Sequence, residues 1–302
     1  MTAAPGTGWP KGSFDAALRA AEGGRLALKL EAAWCSMCTH LDHDVLDTPT
    51  GEALFGSMTR LAIDFDAPEA RELVRRYAIL DLPTVVVVGR EGRELGRVVG
   101  YSDSAEWVAR ARVAVSSDDP LAEARARVAE RPTDPFARLA LAEAQLSIDA
   151  GAAVPVLETL ACTDDPKLAP RALFVLGRYF DRALGDPKTA LHIWRELATR
   201  YPAGDYAHGA ALWYANAHAQ LGAAEVGAEG LGQLAQRTPL RAATIIEWAR
   251  FVGRHGIESH RQVVMEVAMR ALNKARGHER DDLEELVLQL GRGLEPGAGR
   301  KI

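Results

Sequence analysis

Cysteine is scarce in this chain, three residues in 302, too few to build a disulfide framework. Long apolar runs are missing as well. Nothing approaches the roughly 20 residues that span a bilayer, and the tightest run, Val85 to Val88, suits a buried strand. There is no excess of basic charge. A net charge of -5 and a pI near 5.9 argue against nucleic acid or an anionic membrane as the main partner. The first twelve residues hold Pro and Gly but neither a basic flank nor an apolar core, so they do not read as a secretory signal, and the expected location is the cytoplasm. Also absent are a Gly-rich phosphate loop ending in Lys-Ser or Lys-Thr, a His-Glu-x-x-His and a Gly-x-Ser-x-Gly. No cofactor is expected.

Two of the three cysteines stand together as Cys35-Ser36-Met37-Cys38, with Trp34 before them at the end of an apolar run. The order reads strand, Trp-Cys-x-x-Cys, helix. That puts the first sulfur at a helix N-terminus, where free N–H groups and the helix dipole favour a thiolate. With a second thiol one turn away, such a thiolate can attack a disulfide and then be released, so dithiol–disulfide exchange is the expected chemistry. His40 and His43 follow closely, which raises a zinc site as a rival. Two-Cys, two-His zinc sites usually separate their pairs by about a dozen residues. Here all four ligands crowd onto little more than two turns, so a solvated helix face is the preferred reading for both histidines. The third cysteine, Cys162, reads as a small hydrophobe at a helix end.

At 48% apolar and 25% charged, 302 residues are enough for two domains. Residues 13–115 alternate: helix 14–21, strand 25–32, helix 36–46 extended to 55, strand 60–65, helix 68–77, strand 85–88, strand 94–99 and a helix to 115. Polar Ser116-Ser117-Asp118-Asp119-Pro120 is the expected boundary. Beyond it strand signals stop, and residues 121–292 read as an all-α domain. One unit there, Leu176-Gly177, Phe180, Ala190, Trp194, Leu197 and Pro202, resembles the tetratricopeptide repeat pattern. Weaker units fit 121–165 and 205–237, while 240–292 fits poorly and is expected to act as a cap. The acidic pairs Asp118-Asp119, Asp164-Asp165 and Asp281-Asp282 read as helix caps rather than catalytic acids.

Ala33-Trp34-Cys35-Ser36-Met37-Cys38, Leu82-Pro83-Thr84, and Gly92 with Val99-Gly100-Tyr101 agree in order and spacing with a known family. Over about residues 13–115 the chain resembles the thioredoxin-like family, most of all the C-terminal domain of the bacterial membrane thiol:disulfide interchange reductase. The resemblance implies an α/β thioredoxin fold, with Cys35 the exposed nucleophile and Cys38 the buried resolving thiol. Pro83 would be the family's cis-proline, presenting backbone with Thr84 to an extended peptide. Trp34 would shield the site and offer an apolar docking surface, and Gly100 would let substrate backbone approach.

One position departs from the family. Classical thioredoxins hold a buried Asp six residues before the first Cys, and this chain has Lys29 there. Glu31, two residues on and on the same strand face, is a substitute proton acceptor, as is water; alternatively Lys29 and Glu31 simply pair. The expected function is that of a protein disulfide reductase. Its partners would be a disulfide-bearing protein substrate, a reductant protein that recycles the pair, and a protein held by the helical repeats. The rival is an adaptor or chaperone-like scaffold in which the repeats do the main work.

Overall fold

The computed structural model describes residues 9–33, 35–202, 204, 206–236 and 242–292. The chain divides into two compact units, Met1–Val156 and Leu157–Ile302.

The first unit contains α1 (Phe14–Ala20), β1 (Leu26–Glu31), α2 (Ser36–Leu41), α3 (Pro49–Phe55), β2 (Thr59–Asp64), α4 (Ala70–Arg76), β3 (Thr84–Val88), β4 (Glu94–Val99) and α5 (Ser104–Ser116). A turn of π-helix, Asp42–Leu46, prolongs α2. The sheet runs β2-β1-β3-β4, with β1 and β2 parallel and β3 antiparallel to both of its neighbours. A parallel pair needs a long crossover, which α2 and α3 supply; the antiparallel β3–β4 pair needs only the short 3-10 turn Arg90–Gly92.

Side chains alternate across a strand, and this decides what lies beneath α2. Leu26, Leu28 and Leu30 of β1 pack with Phe14, Leu73, Val74 and Tyr77, under α1 and α4. Ala27 faces the other way, among Leu41, Val45, Phe55, Trp107 and Ala111. By the same alternation Lys29 and Glu31 belong to that second face, on the side of α2. Strand β3 is buried along its whole length, as its run of valines predicts.

Both edges of the sheet are occupied. Lys11 forms a bridge alongside Ala62 of β2. At β4, α6 (Pro120–Glu130) packs on the strand, and Ser147 donates to the Glu94 carboxylate (3.2 Å). The polar stretch between α5 and α6 is tied down. Arg25 donates to the Val115 carbonyl and, at 2.7 Å, to Asp118. Arg93 donates to the Asp118 carbonyl (3.0 Å), and Asp119 caps α6 by accepting from the Ala122 N–H (2.9 Å). Helix α7 (Pro135–Gln145) then packs on α6.

Helix α8 (Ala150–Ala161) spans the division between the units. The second unit continues as α9 (Leu168–Arg178), α10 (Pro187–Arg200), α11 (Ala207–Gln220), α12 (Ala224–Ala235), α13 (Ala242–His255), α14 (Glu258–Leu272) and α15 (His278–Arg292). From α9 onward each helix packs on the next, giving the expected all-α helical-repeat array. A side chain at Gly177 would put its first carbon 2.6 Å from the Trp194 ring, so the paired Gly and Trp of the repeat pattern are where α9 and α10 approach. Gly232 and Trp248 repeat this between α12 and α13, also at 2.6 Å. The stretch that fits the pattern poorly forms α13–α15 around Trp248, Phe251, Val264, Val267 and Leu283. No helix among the described residues is long and apolar enough to cross a membrane.

Candidate redox site

Strand β1 ends at Glu31, and the chain turns through Ala32 into α2, whose N-cap is Cys35. A residue at this position leaves the first helical N–H groups without helical partners. The Cys38 N–H donates to Cys35 Sγ (3.1 Å), so the sulfur itself caps the helix. The same N–H would hold a thiolate by a charge-assisted bond. Cys35 and Cys38 are joined as a disulfide. Ala32, Phe65 and Leu82 pack against the pair, leaving Cys35 7% exposed and Cys38 3%. Cys38 is the deeper of the two, but the exposure expected for Cys35 is not found, because these neighbours cover it.

The Leu82–Pro83 peptide is cis, as the resemblance implied. The Pro83 carbonyl accepts from the Gly100 N–H (2.7 Å), tying the loop before β3 to the end of β4. Gly100 has φ +71 and open space where a side chain would begin, a conformation suited to glycine. Thr84 is 1% exposed and donates its hydroxyl to the Asp81 carbonyl (2.6 Å), so its side chain fastens the loop that carries Pro83. Trp34 lies outside the described residues.

Lys29 is 3% exposed, and its ammonium sits 2.5 Å from Glu31 Oε2 and 2.6 Å from Asp42 Oδ1. Lys11 reaches the other Glu31 oxygen at 3.4 Å. The pairing of Lys29 with Glu31 was one of the two readings of the sequence; Asp42 is new. Burial pushes the Asp42 carboxyl above its usual range, against the pull of the hydrogen bond and charge of Lys29. Asp42 follows Cys38 by four residues, the spacing that stacks side chains on one helix face, and that spacing was the signal available in the sequence.

His40 and His43 are exposed, and His43 meets Asp44 at 2.8 Å. Tyr101 donates to the same carboxylate at 2.7 Å, and these two hydrogen bonds hold Asp44 below the ordinary range. No group of three or more metal-ligating side chains occurs among the described residues. Asp119 and Asp165 cap their helices, Asp165 by accepting from the Lys167 and Leu168 N–H groups (2.8 and 2.9 Å).

Residues 15–112 match the family described as thioredoxin-like domain. The first unit therefore carries a thioredoxin-like domain. The chain is 29% identical over 103 residues to the thiol:disulfide interchange protein DsbD of Klebsiella pneumoniae, a match covering 33% of this chain and 17% of that protein. It thus spans about a sixth of the length of that relative. Among solved structures, a thioredoxin from Thermus thermophilus is 26% identical, covering 39% of this chain and 95% of its own, with a TM-score of 0.34. A thermophilic TPR protein, also from Thermus thermophilus, is 17% identical, covering 61% of this chain and 94% of its own, with a TM-score of 0.36.

Proposed function

We propose that the chain is a protein disulfide reductase whose thioredoxin-like part, 13–115, does the chemistry while the helical part, 121–292, recruits a protein. One observation carries this reading: the Cys35–Cys38 disulfide at the start of α2, with the Cys38 N–H on Cys35 Sγ and Leu82 packed beside the pair. In the reduced protein the Cys35 thiolate attacks a substrate disulfide. A Cys35–substrate disulfide forms, and the other substrate sulfur leaves as a thiolate and takes up a proton. Cys38 then gives up its proton and attacks Cys35 Sγ, freeing the second substrate thiolate and leaving the Cys35–Cys38 disulfide. Two electrons have passed to the substrate, and a dithiol reductant protein returns them. In a reducing compartment such as the cytoplasm the pair stands mainly reduced. Leu82–Pro83 and Gly100 receive the substrate backbone.

Glu31 is the proposed acceptor of the Cys38 proton. Glu31→Gln is expected to displace the pH profile of substrate reduction, and an unchanged profile would pass the role to Asp42. The direction of electron flow is tested by equilibrating the full chain in graded glutathione buffers and trapping the thiols. A two-electron transition at roughly -270 to -200 mV is the expected result. A more oxidising value would make the chain an oxidase or isomerase, and no transition would leave the scaffold reading in its place.

A further inference from the structure

Lys29 is the only lysine in β1, and it points to the covered side of the sheet, beneath the helix that carries the sulfurs. A buried ammonium is costly unless it is paired, and this one has two carboxylates within hydrogen-bonding distance. Both lead back to the redox pair. Asp42 lies four residues after Cys38 in one continuous helical run, so its backbone is about 6 Å along the axis and its side chain shares the Cys38 face. Glu31 precedes Ala32, which packs directly on Cys35 and Cys38.

We infer that Lys29 is a positioning residue for the redox pair: its ammonium offsets Glu31 and Asp42 beneath α2 and thereby favours the thiolate. This deepens the dithiol reading above and rests on it. The charged groups of the cluster are Lys29 and Glu31 on β1, Asp42 on the prolonged α2, Lys11 on the segment bridged to β2, and Asp47 just past the π turn, whose charge also acts on Asp42. Remove the Lys29 charge and two carboxylates are left beneath the helix that carries the sulfurs, with only the exposed Lys11 within reach of one of them. A like charge close to an ionising group disfavours its charged form, so the thiol would hold its proton to higher pH. Because thiolate stabilisation favours the reduced state, the pair would also become more reducing.

The test uses the full chain, reduced, with the Cys35 thiolate followed by the pH dependence of its alkylation by iodoacetamide, and the potential by glutathione equilibration. Lys29→Met is expected to raise the thiolate pKa by about one unit, roughly a tenfold loss of thiolate below that pKa. Asp42→Asn is expected to lower it, and the double variant to bring it back towards the parent value. A folded Lys29→Met with the parent alkylation profile would overturn the inference. Should that variant fail to fold, Asp42→Asn decides, and an unmoved profile there overturns it equally. Alkylation requires no turnover. A parent chain that reduces no disulfide would defeat the reductase reading while the thiolate shift still answered for Lys29.

Discussion

Cys38 and Cys35 differ in what each can do alone. Cys38→Ser keeps the nucleophile and removes the thiol that releases it, so the variant should accumulate a Cys35–substrate mixed disulfide, visible as a reductant-sensitive band. Cys35→Ser should form none and reduce nothing. Asp42 has a second measurable consequence. Its carboxyl titrates above the ordinary 3.8 in the folded protein, so the folded state binds that proton more tightly than the unfolded chain. The stabilisation is complete below 3.8 and is lost as pH rises through the folded value. Urea midpoints of the parent should carry this component as pH rises from 3.8, and those of Asp42→Asn should lack it. The cysteines were legible because their type and spacing state their chemistry, and the cis peptide at Pro83 was implied by the family resemblance. For Asp42 only the spacing from Cys38 was there to read; its pairing with Lys29 was not, because that partner is thirteen residues back on a strand and only the packing of α2 over β1 brings the two together. The bond from the Thr84 hydroxyl to the Asp81 carbonyl was equally invisible, because proximity to Pro83 says nothing about which way the first residue of β3 turns its side chain.

Helix pairs depend on single close approaches. At Gly177 the Trp194 ring fills the space a side chain would need, and Trp194 is fully buried. Gly177→Ala forces α9 and α10 apart or Trp194 out of its rotamer, and should cost about 1–3 kcal/mol in chemical denaturation. Trp194→Ala should cost about 3–5 kcal/mol by leaving a cavity. Alternation of helix and strand in the first unit could be read from periodicity and turn residues, though the cap of α5, Asp103, is settled only by the bond it accepts from the Glu106 N–H. The π turns at Asp42–Leu46 and Tyr179–Ala183 could not, since the phase shift from one extra residue close to a helix end looks the same as the helix simply ending.

Across the whole molecule, acid should act first on the second unit. Burial holds His218 and His255 below the ordinary 6.5, assisted by the neighbouring charges of Arg195 and Arg254. The unfolded chain therefore binds those protons more readily, and the stability present above pH 6.5 is lost as pH falls towards the folded values. Hydrogen exchange in α11 and α13 should quicken as pH falls below 6.5, beyond its intrinsic pH dependence. A different consequence follows from the arginines that hold the segment after α5. By composition, residues 116–120 are where a protease would be expected to cut and where a fragment would be ended. Yet Arg25 and Arg93 both spend hydrogen bonds on that segment. A fragment stopped at residue 115 strips both guanidiniums of their acceptors in Asp118, whereas one that keeps α6 retains them. Limited proteolysis should accordingly spare this stretch, and the smallest sturdy piece bearing the cysteines should end beyond Glu130.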